Sequence, residues 1–128
     1  MLKYISGRQY PVVPPVQLGA QEHVVTSFSI PGVAAEDRIL LEMELCWEKR
    51  KGADLGRMEI VLHQGSPFGP VLYSSDETCY STTTTLLEYE ETGVSVPEPL
   101  YYVSVCSTTH TALLTGPLFI KCQVFSEE

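Results

Sequence analysis

The chain has 128 residues, of which 44% are hydrophobic and 19% are charged, and its formal net charge at neutral pH is −8. This length fits one domain that can bury a core of its own, and the high hydrophobicity with modest charge excludes a disordered chain. The acidic balance argues against nucleic acid or an anionic membrane as the main ligand.

The first predicted element is an extended arm over residues 1–19. It contains Pro11, Pro14 and Pro15, which cannot donate hydrogen bonds to a strand ladder, so regular pairing is not expected there. The arm is nevertheless too apolar for a solvated tail. We therefore predict that it covers a surface of another chain, using Leu2, Tyr4, Ile5, Tyr10, Val12, Val13 and Val16.

Residues 20–128 are predicted to form the domain itself. Short runs rich in Val, Ile, Thr, Tyr and Phe alternate there with Gly, Pro and Ser/Asp clusters, a pattern typical of strands and turns. The glycine- and proline-rich residues 65–70 are predicted to be a loop. The strands predicted outside the central segment cover residues 22–30, 57–63, 71–74, 79–90, 100–107 and 118–125.

The central segment, residues 34–52, supports two interpretations. Its acidic start, basic end and Gly52 are helix start and stop signals. Over residues 41–48, however, apolar and mostly acidic side chains alternate strictly, which gives a strand with one wholly apolar face. We predict a strand over residues 38–48 whose buried face consists of Leu41, Met43, Leu45 and Trp47.

Seven or eight strands without alternating helices predict an all-β fold, an antiparallel sandwich of jelly-roll type with an extended N-terminal arm. The four threonines at residues 82–85 place two hydroxyls on each face of their strand. An inner-face hydroxyl is costly unless it is hydrogen-bonded. This strand is therefore predicted to be exposed or to face another subunit.

The sequence contains no motif for catalysis, phosphate binding or a nucleotide cofactor. His23, His63 and His110 lack the His-x-His pair typical of cupin metal sites, so we expect surface or hydrogen-bonded histidines. The segment around Asp76 and Glu77 is the best candidate for a calcium-binding loop. We predict no enzymatic activity, no cofactor and no metal.

Tyrosines offer a possible sugar-stacking platform on one face of the sandwich, although packing in the core or at strand edges is the expected use of this residue type. The tyrosines concerned are Tyr73, Tyr80, Tyr89, Tyr101 and Tyr102. The four cysteines lie in or beside apolar strands, and residues 1–6 lack the apolar stretch of a signal peptide. We expect four free thiols in a protein folded in a cytosol.

One stretch, residues 27–40 with the sequence SFSIPGVAAEDRIL, resembles a pattern common in small β-sandwich domains of tailed-bacteriophage virions. The pattern is a strand, a Pro/Ala-Gly-Val/Leu turn, small residues, an aspartate and an apolar strand. Such domains serve as capsid cement or decoration proteins, head spikes, and parts of fibres and baseplates. They share no site motif, so the resemblance implies no functional residue.

The resemblance implies a non-enzymatic virion protein that self-associates and stabilises a viral shell or appendage. Its partners would be its own copies and other virion proteins, such as the major capsid protein, and it would be assembled in the host cytoplasm. A carbohydrate- or receptor-binding sandwich is the second hypothesis. A small cupin-like enzyme is the third.

Overall fold

A computed structural model describes residues 1–127. Within that range the chain forms nine strands and no helix, which confirms the all-β prediction. The strands are β1 (Leu2–Tyr10), β2 (Val16–Gln17), β3 (His23–Ser29), β4 (Arg38–Lys49), β5 (Gly56–Gln64), β6 (Val71–Cys79), β7 (Thr82–Thr92), β8 (Leu100–Cys106) and β9 (Ala112–Phe125).

The strands form two antiparallel sheets packed face to face. In the first sheet the order is β1-β9-β4-β7, with β2 also paired to β9, and in the second it is β3-β8-β5-β6. If β1 and β2 are taken as one interrupted strand, this is the order of an eight-stranded jelly roll. The predicted sandwich is confirmed, with one strand more than the seven or eight expected.

The disputed central segment is a strand, as predicted. β4 lies in the middle of the first sheet, between β9 and β7. Its apolar face points into the core, where Leu41, Met43, Leu45 and Trp47 are each at most 2% exposed. The helix signals at its ends are overridden because a strand buries one entire face of the alternating pattern, and such burial is worth about 25 cal/mol per Å².

The core between the sheets is filled by the inward-facing side chains of both. Trp47 and Ile120 enter it from the first sheet, and Ile60 and Tyr101 from the second. The rings of Phe28 and Tyr101 stack there with centroids 5.3 Å apart.

The N-terminal segment differs from the expected arm, because β1 pairs with β9 of its own chain along its length and β2 continues that pairing. The three prolines do not prevent this pairing, since they all lie between β1 and β2. Leu18 is 1% exposed and belongs to the core. Residues 1–19 therefore complete the first sheet of this domain, and their contact with another chain stays a prediction.

Two other strands are longer than predicted. β6 runs to Cys79, so Asp76 and Glu77 lie within a strand and not in the loop that was considered as a calcium-binding candidate. β9 begins at Ala112 and continues past Pro117. It does so because its pairing with β4 shifts between Leu45 and Trp47, where a bulge accommodates the proline.

Candidate interaction surface

The outer face of the first sheet carries apolar side chains that no part of the described chain covers. Ile5 on β1 is 53% exposed, Phe119 on β9 is 39% exposed and Leu86 on β7 is 68% exposed. Ile5 and Phe119 line a shallow groove of about 560 Å³ over β1, β9 and β4, with Gly7 also in its wall. Uncovered apolar surface of this kind is typical of a protein–protein contact.

The same face is strongly acidic. Glu42 and Glu44 line the groove, and Glu42 lies directly opposite Glu88 of β7. The register with β9 places Lys121 on the other side of Glu42. Carboxylates with one interspersed cation thus frame the exposed apolar side chains.

The seven residues predicted to contact a partner do not form one surface. Leu2, Ile5 and Val13 are exposed, Val13 to 87%. The other four are half-buried against the core of their own chain, namely Tyr4, Tyr10, Val12 and Val16. Phe119 and Leu86 were not predicted to lie on this surface. Strand alternation was the signal that could have found them, since each is followed by a buried apolar residue.

An ion pair fixes the start of β1 to the domain. Lys3 Nζ lies 2.6 Å from Oδ2 of Asp37, and the backbone N–H of Ala34 donates to the same oxygen at 2.8 Å. The hydrogen bond from Lys3 and then that from Ala34 lower the pKa of Asp37. The Asp37 side chain is only 1% exposed. Because a buried carboxylate is costly without a partner, its ion pair with Lys3 anchors the start of β1.

A second polar network supports the loop between β5 and β6. His63 is 5% exposed; its Nδ1 lies 2.8 Å from the carbonyl oxygen of Gly69 and its Nε2 lies 2.6 Å from a carboxylate oxygen of Glu22. Both partners are acceptors, which favours an imidazolium that donates from both nitrogens. Burial lowers the pKa of His63, but the hydrogen bonds to Glu22 and Gly69 raise it further than burial lowers it. The braced loop holds Phe68 96% exposed at its tip.

The histidines do not converge on one another. His63 is engaged with Glu22, whereas His23 and His110 line a separate groove beside β2. Within residues 1–127, no group of three or more His, Cys, Asp or Glu side chains is placed to hold a metal ion.

The tyrosines considered for a sugar platform are divided among different environments. Tyr101 is fully buried and Tyr80 is 79% exposed, while Tyr102 is half-buried on β8. The rings of Tyr73 and Tyr89 pack on each other at 6.2 Å, linking the two sheets at one side of the sandwich. Burial raises the pKa of the Tyr89 and Tyr101 hydroxyls, as expected for packing residues.

The four threonines at residues 82–85 begin β7 and differ in burial. The indole Nε1–H of Trp47 donates to Oγ1 of Thr85 at 2.8 Å, and both side chains are buried. The other three threonines are exposed or half-buried. The threonine hydroxyl that reaches the core is thus hydrogen-bonded. The other three are accessible because β7 is an edge strand.

The four cysteines are free thiols in the structure. Cys46 is half-buried, whereas Cys79, Cys106 and Cys122 are buried. Burial raises the pKa of each of these three thiols. They are therefore poorly suited to act as nucleophiles at neutral pH.

No family model matches the chain, and no curated protein matches it. Among solved structures, a protein described under "Bacillus endospore appendages form a novel family of disulfide-linked pili" is similar over 97% of this chain and 89% of that chain, with 10% identity and a TM-score of 0.47. Similarity at this level is no evidence of a shared function. No helix long and apolar enough to cross a membrane occurs in residues 1–127.

Proposed function

We propose that this protein is a non-enzymatic structural subunit that self-associates, as part of a viral shell or appendage. The observation that carries the proposal is the uncovered apolar surface on the outer face of the first sheet, formed by Ile5, Phe119 and Leu86. A single sheet face with this composition gains stability when a second protein surface covers it.

The fold is compatible with this role. Jelly rolls occur in viral capsid proteins, in lectins and in cupins, and one fold supports many functions. The virion assignment rests on the resemblance of residues 27–40 to small phage sandwich domains.

The association is tested by size-exclusion chromatography with light scattering over a wide range of protein concentration. We expect species whose mass is a multiple of the 14.2 kDa chain. In Phe119→Ser/Leu86→Ser, which removes exposed apolar area without opening the core, we expect a shift towards the monomer. A protein that is monomeric at all concentrations contradicts the proposal.

The virion assignment is tested separately, by mass spectrometry of purified virus particles from the source of the sequence. The chain should be present at a fixed ratio to the major capsid protein. A self-associating protein that is absent from such particles keeps the structural role and refutes the viral one.

A further inference from the structure

The two edge strands of the first sheet are open. β1 pairs only with β9, and β7 pairs only with β4, among the strands of residues 1–127. Natural edge strands are usually protected by proline, lysine or a bulge. β7 has neither proline nor lysine, and its pairing with β4 is continuous over eleven residues without a register shift.

The edges of the second sheet are less regular. The pairing of β3 with β8 shifts between Val24 and Thr26, and that of β6 with β5 shifts at Leu62 and His63. β1 has one shift at its start, after which Tyr4 to Tyr10 pair regularly. The first sheet therefore presents the two most regular edges of the molecule.

These two edges carry opposite charge. β1 contains two basic residues and no acid, and β7 contains three glutamates and no base. Lys3 is already paired with Asp37, and Glu90 with Arg38, within the chain. Arg8, Glu88 and Glu91 form none among the described residues. Pairing of two β1 strands or of two β7 strands would place like charges together, so the charges favour β1 beside β7.

The geometry of the sheet permits that pairing without rotation of the subunit. Two strands, β9 and β4, separate the edges, and each neighbouring pair is antiparallel, so β1 and β7 run in opposite directions. A second copy in the same orientation would place its β7 antiparallel to β1 of the first copy. Tyr4 pairs with Val124, Val124 with Ile39, and Ile39 with Glu91. The two edge strands therefore lie at the same level along the strand direction.

The side chains on the inner face of the two edges are also complementary. In the level register Arg8 lies beside Leu87. A stagger of two residues places Arg8 opposite Tyr89 and diagonal to Glu91, within reach for a long side chain. Arg8 is exposed, so its guanidinium is accessible to a second copy.

We propose that β1 of one copy pairs antiparallel with β7 of a second copy, so that the first sheet continues from subunit to subunit. The contact joins two different surfaces, which generates a ring or an open filament rather than a closed two-fold dimer. This inference rests on the proposed self-association and names the surface that would carry it.

A charge-exchange experiment tests the pairing. Arg8→Glu puts acidic side chains at the matching positions of both edges, and Glu91→Lys puts basic side chains at those positions. Each variant alone should run at the mass of the monomer, 14.2 kDa, in light scattering. An equimolar mixture should recover the mass of the wild-type assembly, because every β1–β7 contact is again between opposite charges.

Two further variants serve as controls. Arg57→Glu places the same charge change at an exposed position on β5 of the second sheet and should leave the assembly unchanged. Glu91→Gln, which removes the charge of Glu91 on the inner face and keeps the size of its side chain, replaces Glu91→Lys if circular dichroism shows that the latter does not fold.

Each outcome bears on the pairing. If Arg8→Glu and the β7 variant assemble like the wild type, the edge pairing is wrong while self-association stands. If each is monomeric but their mixture is too, the residues matter in another contact and the pairing is again wrong. A monomeric wild-type protein overturns both proposals.

Discussion

Replacing the hydroxyl of Thr85 by a methyl group should destabilise the domain through one buried donor. Thr85→Val keeps the shape of the side chain and its preference for strands, so it adds no cavity and no loss of β-propensity. It leaves the Nε1–H of Trp47, now 2.8 Å from its acceptor, buried without a partner. An unsatisfied donor of this kind costs about 1–3 kcal/mol.

The expected loss translates into a measurable shift of the melting temperature. Unfolding entropies of about 2.1 cal/mol/K per residue give roughly 0.27 kcal/mol/K for a chain of this length, so a loss of about 2 kcal/mol lowers Tm by about 7 °C. Urea denaturation followed by far-ultraviolet circular dichroism measures the free energy of unfolding directly. Thr82→Val, on the exposed face of the same strand, is the matched control and should change stability by less than about 0.5 kcal/mol.

A double-mutant cycle separates the hydrogen bond from other effects of the valine. In a Trp47→Phe background the donor is gone, so Thr85→Val should be nearly neutral or slightly stabilising. An equal cost in both backgrounds, or a cost below about 0.5 kcal/mol in the wild type, would refute the assigned role of this bond.

Two further predictions concern titratable groups. The pKa of His63 is raised, so its contribution to stability is complete below its unfolded pKa of about 6.5 and is lost as the pH rises through the folded value. Urea titrations at several pH values should show this loss in the free energy of unfolding. Glu22→Gln should make the free energy of unfolding depend less on pH. A thiol reagent should label Cys46 first in the native protein and four cysteines after denaturation; a denatured count of two or none, without reductant, would contradict the free thiols.

The strands that the sequence predicted well are those in which one face is buried and the other is not. β4 shows this clearly, because a single alternation decides between helix and strand, and burial of Trp47 and its neighbours enforces the result. Boundaries were less predictable where a ladder continues through a residue that usually breaks it. Pro117 in β9 and the polar residues of β6 are retained in strands because neighbouring strands supply their pairing.

The candidate surface was harder to predict than the fold. Long-range pairing decides which strands become edges, and nothing local in residues 1–19 indicates that β1 will pair with β9. The apolar composition of that segment correctly indicated a need for burial. It did not indicate that much of the burial, as at Leu18, would come from the segment's own domain.

The pairing of β1 with β9 has a consequence for how the chain folds. Met1 and Ser126 are hydrogen-bonded to each other although they lie 125 positions apart in the chain, so the first sheet cannot close until β9 has been synthesised. At typical translation rates this takes about 6 to 25 seconds, during which the apolar side chains of the N-terminal segment have no strand to cover them. Such non-local closure also slows refolding. A nascent chain of this protein therefore exposes the edge of its N-terminal segment to neighbouring chains until β9 emerges.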